Sequence, residues 1–250
     1  MEFITQYHAA IAAMLQQIVD TQTEAIGKAA RRLADAIAED RYLYVIGPGG
    51  HSYMACEEMF CRAGGLVPVY PILDPGFSMA HGAWRSMLVE RTPGYVPPIL
   101  QYHGLGTGDV LIVCNAYGIN AATIDACVEG KRLGVTVIGV TSTEFATRVP
   151  ADHPARHPSR QNLFEIADIF LNTWMPYGDA VVDIPGCPQK VGPSSSLGTA
   201  FLLHCLVGTT VEEVVRRGIT PPVWRSGSLP GGDEANRQHL DKHLRRLKFL

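Results

Sequence analysis

Apolar residues recur every three or four positions from the amino end, at Phe3, Tyr7, Ile11, Met14 and Ile18. After the polar run "DTQTE" (20–24) the pattern resumes at Ile26, Ala30, Leu33 and Ile37. This period predicts two helices, or one bent helix, over residues 1–40. The period then changes. "RYLYVIG" (41–47) is a short β-rich apolar run stopped by Gly47-Pro48-Gly49-Gly50, and Ser52 stands where it would cap a helix carrying Met54 to Ala63. The same order returns in "DVLIVCNAYGIN" (109–120), followed by the helical "AATIDACVEGKRLG", and again in "VTVIGVTS" (135–142). "LVPVYPIL" (66–73) and "ADIFLNTW" (167–174) read as two more buried strands. Strands that are apolar throughout, with helical stretches between them, predict an α/β fold: a parallel sheet covered by helices on both faces, in three layers.

The last third holds "VGPSSSLGTAFLLHCLVGTTVEEVVRRG" (191–218), a long, largely buried helix opened by serines and closed at Gly218. A Pro- and Gly-rich excursion follows, then a charged terminal helix from Glu234 to about Leu247. Residues 149–162, with three prolines and neither period, predict a long exposed loop. No composition break or repeat divides the chain. We read residues 1–250 as one domain, with a helical segment at 1–40 and a loop and helix at 219–250.

Composition narrows the partners. The chain has 250 residues, 46% of them hydrophobic, and 21 basic against 24 acidic side chains for a net charge of −3. That balance offers nucleic acid or an anionic membrane no broad attraction. The start Met-Glu-Phe-Ile has no basic lead, and no apolar run approaches the ~18–20 residues that span a bilayer, so a cytoplasmic protein is expected. Six cysteines in apolar contexts, without metal-ligand spacing, read as reduced core thiols. His153 and His157 have zinc-like spacing, but prolines intervene and no further ligand pair follows. No metal and no cofactor are expected.

In an open α/β sheet ligands sit beyond the carboxyl ends of the strands, which singles out Gly47, Gly49, Gly50, His51 and Ser52. Small residues there would let the backbone approach a ligand, and the helix start beyond them favours electron-rich oxygen. A dinucleotide fold is the rival, since Gly47-x-Gly49 begins G-x-G-x-x-G and Asp74 ends the next apolar run. Ser52, however, takes the third glycine position.

Several segments, "GPGGHSYMACEEMFCRAGGLVPVYPILDPG", "NAYGINAATIDACVEGKRLGVTVIGVTS", "RHPSRQNLFEIADIFLNT", "YGDAVV", "QKVGPSSSLG" and "GGDEANR", match in order along nearly the whole chain. On these the chain resembles the SIS (sugar isomerase) domain family, especially a branch of similar length without assigned function, and more distantly the heptose-phosphate isomerases. The resemblance implies a doubly wound, five-stranded parallel sheet flanked by helices, a small-molecule sugar ligand, and a homodimer or homotetramer with sites near subunit boundaries.

Aldose–ketose isomerisation requires a base beside a carbonyl and a second group to move hydroxyl protons; a partly buried carboxylate and a histidine suit these tasks. Glu57 and Glu58 lie one to two turns into the helix after the bend and point about 100° apart, so only one can aim inward. The resemblance favours Glu58 as base and His204 as its partner; His81, after the strand ending near Asp74, is the other histidine candidate. Non-catalytic readings are a solvated helix face for the glutamates and a satisfied core position for His204. Asp179, Asp233, Glu234 and Asn236 are explained by turn chemistry, and Trp84, Trp174 and Trp224 read as core or interface anchors.

One loop departs from the family. Members typically hold phosphate with Ser-x-Ser-Gly-x-Ser/Thr, where this chain has "NAYGIN", with Asn115, Tyr117, Gly118 and Asn120. No basic residue occurs between Val110 and Glu129. These neutral donors suit hydroxyls better than a charged oxygen, so a smaller or unphosphorylated sugar is expected, or one whose anion sits on Ser194, Ser195 and Ser196. The readings carried forward are a sugar isomerase or epimerase, a non-catalytic sugar-binding regulatory module, and a dinucleotide-dependent enzyme.

Overall fold

Helix α1 (Glu2–Ala38) runs unbroken through the polar stretch where the sequence leaves a bend open, in a computed structural model that describes residues 2–250. Those polar residues serve the sheet. Gln22, 8% exposed, accepts the Asn172 amide at 2.9 Å, and Thr21 Oγ1 accepts from Trp174 Nε1 at 2.7 Å.

Five parallel strands, β1 (Leu43–Ile46), β2 (Val69–Pro71), β3 (Val110–Cys114), β4 (Thr136–Thr141) and β5 (Ile169–Asn172), lie in the order β2-β1-β3-β4-β5. Leu43 pairs with both Val69 and Val110, Val110 with Thr136, and Ile138 with Ile169. The pleat sends alternate side chains to opposite faces and so builds two cores. Leu43, Val45, Ile112, Cys114, Val140 and Leu171 join Ile18 and Leu33 of α1, α2 (Met54–Met59) and α8 (Ser195–Arg216). Ile46, Leu111, Val113 and Val137 face the other way, onto α4 (Pro97–Tyr102), α5 (Ala121–Arg132) and α7 (Leu163–Ile166). The expected three-layer, doubly wound α/β architecture is present.

Four boundaries differ from expectation. Helix α2 stops at Met59, because Phe60 is extended and Cys61 has φ 48°. Helix α3 (Ala83–Glu90) and α4 occupy a stretch whose mixed polarity gave no period; Pro97 and Pro98 open α4, where a missing N–H costs nothing. A hairpin of β6 (Ala180–Val182) and β7 (Val191–Pro193) was not legible, as its three-residue strands are half exposed and include Gly192 and Pro193. The terminal helix α9 runs Gly232–His243, shifted toward its acidic start. The 149–162 segment is a loop, tied down by Arg156, which donates to the carbonyls of Ala146, Val149 and Pro150; the short α6 (Thr143–Ala146) precedes it.

Helix α8 is long and apolar enough to cross a membrane, but it lies along α1 with Leu202, Leu203 and Leu206 in the first core. Of six free cysteines, Cys56, Cys114 and Cys127 are buried, and burial pushes the thiols of Cys56 and Cys127 up to about 12. Cys61 and Cys187 are exposed, against the expectation of core positions for all six, because each sits in a turn outside a regular element.

If α1 is integral to the core rather than an appendage, Ile18→Ala should destabilise the protein by about 2–5 kcal/mol in urea unfolding, the cost of a cavity at a fully buried position. A loss below about 0.5 kcal/mol, the level of a surface change, would remove α1 from the cooperative unit.

Candidate functional site

Strand order reverses between β1 and β3: from β1 the sheet continues to β2 on one side and to β3 on the other. The loops leaving Ile46 and Cys114 therefore splay apart, and such a crevice is where open α/β sheets hold ligands. A cavity of about 350 Å³ lies there, walled by the 49–52 bend, α2, α3, the 114–117 loop, Asp179 and the start of α8.

Ser52 does not cap α2. Its hydroxyl accepts from Asn115 Nδ2 (3.4 Å) and the Ala116 amide (3.3 Å), which ties the two splayed loops together, and Asn115 Nδ2 also donates to the Pro48 carbonyl at 3.2 Å. Asn115 Oδ1 accepts the amides of Tyr117 (3.1 Å) and Gly118 (2.8 Å), folding the loop around its own side chain. At Gly47 and Gly49 the bareness of the bend serves the protein's own packing, while a Cβ on Gly50 would meet nothing. A Cβ on Gly47 would fall on the Ser52 carbonyl, and one on Gly49, at φ 109°, would fall on the Glu90 carboxylate.

Glu58 lines the cavity, whereas Glu57 is exposed outside it. Glu58 Oε1 lies 2.7 Å from His204 Nε2, and Oε2 accepts from Arg62 Nη1 at 3.1 Å. His204 stands at the edge, not the wall, with its side chain 44% exposed. His51, Ser52, Gly49, Gly50, Asn115, Tyr117, Ser195 and Ser196 line the cavity as expected. Besides Glu57 and His204, five candidates do not. His81 is exposed at the end of a 3-10 turn (Met79–His81) that contributes only Met79. Gly47 and Gly118 are buried behind the wall in close-packed turns, and Asn120 bonds the Thr123 hydroxyl. Ser194 is fully buried against Asp179.

Asp179 overturns its reading as a simple turn residue, and with it the reading of the serine cluster as an anion site. Its Oδ1 accepts the amides of Ser194 (2.8 Å) and Ser195 (2.7 Å), and its Oδ2 accepts the Ser195 hydroxyl at 3.0 Å. The start of α8 thus already holds a carboxylate. Asn236 keeps its turn role, bracketing the backbone of Arg225 with bonds of 2.9 and 2.7 Å. Trp224 is buried, Trp174 half-buried and Trp84 exposed, and none lines the cavity. Asp74, the acid a dinucleotide fold would use, accepts the Gly76 amide (2.7 Å) and the Tyr95 hydroxyl (2.9 Å). His157 pairs with Asp125 at 3.2 Å while His153 bonds the Ala155 amide, and no cluster of three metal-ligating side chains occurs among the described residues.

Glu90 is the residue that sequence reasoning missed. It closes α3 and lines the cavity, and burial pushes its carboxyl up to about 7, against weaker downward pulls from Arg91 and the Asn120 side chain. Its only signal is a lone acid ending the apolar "MLV". Ser86 fixes α3 to the bend, accepting the Gly50 amide at 3.1 Å and donating to the Phe77 carbonyl at 2.7 Å.

Residues 6–142 match the SIS domain family. The chain belongs to that family. Among curated relatives, a UPF0309 protein of Shouchella clausii is 32% identical over 251 residues, covering all of both chains. Another, of Caldanaerobacter subterraneus, is 33% identical over 239 residues, 94% of this chain and 95% of the relative. Among solved structures, the phosphoheptose isomerase from Francisella tularensis matches with a TM-score of 0.56 at 14% identity, over 84% of this SIS chain and 97% of that one. The one from Neisseria gonorrhoeae gives 0.53 at 14% identity, over 86% and 98%. These likenesses bear out the resemblance and the fold read from the sequence.

A carboxyl raised by burial binds a proton in the folded state that the unfolded chain releases above its ordinary 4.5. Stability from this group is therefore full below about 4.5 and is lost as pH rises through about 7, by at most ~3 kcal/mol. Glu90→Gln should remove that slope, so the stability difference between variant and wild type, from urea curves at pH 5 and pH 8, should move in favour of the variant at the higher pH. Parallel behaviour of the two proteins would contradict a buried, proton-retaining Glu90.

Proposed function

We propose that this SIS protein is a sugar isomerase or epimerase that works by proton transfer through an enediol, with Glu58 as the base and His204 as its partner. The observation that carries the reading is the 2.7 Å contact between Glu58 and His204 at the cavity edge. Two residues 146 positions apart, on α2 and α8, meet beside the cavity that Glu58 lines.

In the reaction, the Glu58 carboxylate takes a proton from the carbon next to the carbonyl, leaving an enediolate whose oxygen is protonated. Glu58 then returns its proton to the neighbouring carbon while the other hydroxyl loses its own, so the carbonyl migrates without net gain or loss of atoms. His204 holds the Glu58 carboxylate in place and relays hydroxyl protons, and Arg62 donates to its second oxygen. The phosphoheptose isomerases of similar fold are named for an aldose–ketose reaction, and that supports the assignment of reaction class. The apolar rim of Met54, Met79, Trp84, Met87 and Leu88 supports a second subunit covering the mouth in a homo-oligomer.

The rival is a sugar-binding regulatory module. It draws on both Glu58 oxygens being engaged within the protein. Incubation of candidate sugars with the protein in heavy water should place deuterium on the carbon beside the carbonyl. Glu58→Gln should abolish this label, a fall of at least ~10²-fold as for loss of a general base, while ligand binding persists. Full labelling by the variant would move the base elsewhere, and binding without any label in the wild type would favour the module.

A further inference from the structure

The charge class of the ligand follows from which donors the cavity still has to offer. Helix starts and tight turns after strands are the usual receivers of oxyanions, through free backbone amides. Here many of those amides have internal partners, although that of Ser196, in the first turn of α8, is not among them. Gly49 and Ser52 donate to the carbonyls of Gly47 and Gly49, and Gly50 donates to Ser86 Oγ. In the second loop Ala116 donates to Ser52 Oγ, and Tyr117 and Gly118 donate to Asn115 Oδ1. At α8, Ser194 and Ser195 donate to Asp179, so an anion of the protein itself already sits on that dipole. No lysine or arginine lines the cavity, but three acids do: Glu58, Glu90 and Asp179. Glu58 and Asp179 are satisfied by protein donors. Glu90 is half-buried at the end of α3 with the Asn120 side chain as its polar neighbour, and the Tyr117 hydroxyl feels both it and Asp179.

We propose that the cavity binds an unphosphorylated sugar, neutral or bearing an ammonium group, and that Glu90 receives one of that sugar's hydrogen-bond donors. The proposal rests on the isomerase reading only in taking the ligand to be a sugar. A phosphate ester would meet three acidic side chains and no lysine or arginine, with the amides of Ser194 and Ser195 already taken by Asp179, whereas hydroxyls find Ser196, Thr199, Tyr117 and Glu90. Asp179 thus acts as a built-in substitute for a ligand anion.

The test is isothermal titration of the full chain at neutral pH with matched probes: free aldoses and ketoses of four to seven carbons, their terminal phosphates, D-glucosamine against D-glucose, and inorganic phosphate. At least one free sugar should bind roughly tenfold or more tightly than its own phosphate, a readily resolved difference, and inorganic phosphate should not bind. Glu90→Gln should weaken that sugar, and should weaken an amino sugar more than its neutral counterpart, whereas Glu90→Asp should restore part of the loss. Asp179→Gly, tolerated by the positive φ of 68° at that position, frees the Ser194 and Ser195 amides and should create phosphate binding where wild type has none. A phosphate ester that binds as well as its parent in every pair overturns the proposal, as does failure of every free sugar to bind. Unchanged affinities in Glu90→Gln overturn the role of Glu90. The isomerase reading fails separately: a free sugar that binds without deuterium exchange sinks it and leaves the charge class standing, while a phosphate ester that binds and exchanges does the reverse.

Discussion

The hydrogen bonds between Ser52 and the Asn115 loop hold together what the sheet topology drives apart. Where strand order reverses, the loops after β1 and β3 diverge and leave a crevice. One hydroxyl accepting from Asn115 and Ala116, with Asn115 also reaching Pro48, fixes the width of that crevice. The amides of the second loop then close on Asn115 itself. Removing either side chain would leave buried polar groups without partners in the one place where backbone from two strands must stay parted. Three helices are referenced to this junction: α2 leaves from one side of it, α5 from the other, and α3 is joined to the bend through Ser86.

The same economy of donors shapes the chemistry. A turn or helix start is a receptor only while its amides are free, and here Ser52, Ser86, Asn115 and Asp179 accept from several of them. What is left facing the cavity is hydroxyls, one histidine and carboxylates. The Glu58–His204 contact joins α2 to α8, and Glu58 is engaged at both carboxylate oxygens. Glu90, in the same cavity, is pushed up to about 7 by burial.

Much of the layout was legible because it follows from period. The apolar runs at 43–46, 110–114, 136–141 and 169–172 lie within the segments read as strands. Other features left no trace in local pattern. The polar "DTQTE" looks like a break in α1, yet its side chains bond to β5, a contact 150 residues away. The glycines of the bend looked like room for a ligand; Gly47 and Gly49 are room for Ser52 and Glu90. Asp179 reads as a turn residue until the hairpin β6–β7 delivers it to the start of α8.

The amino-acid sequence by itself determined the layer order and the parallel sheet, because continuous apolar strands and 3.6-residue stripes allow few other burials. It also fixed the family, and the pair of adjacent acids from which one had to face inward. Only the tertiary structure decided which acid that is, which histidine it meets, and that Glu90 and Asp179 join it in the same cavity. Those outcomes depend on distances between residues far apart in the chain, and on which donors remain unspent after the backbone has satisfied itself; neither is written in any local window of sequence.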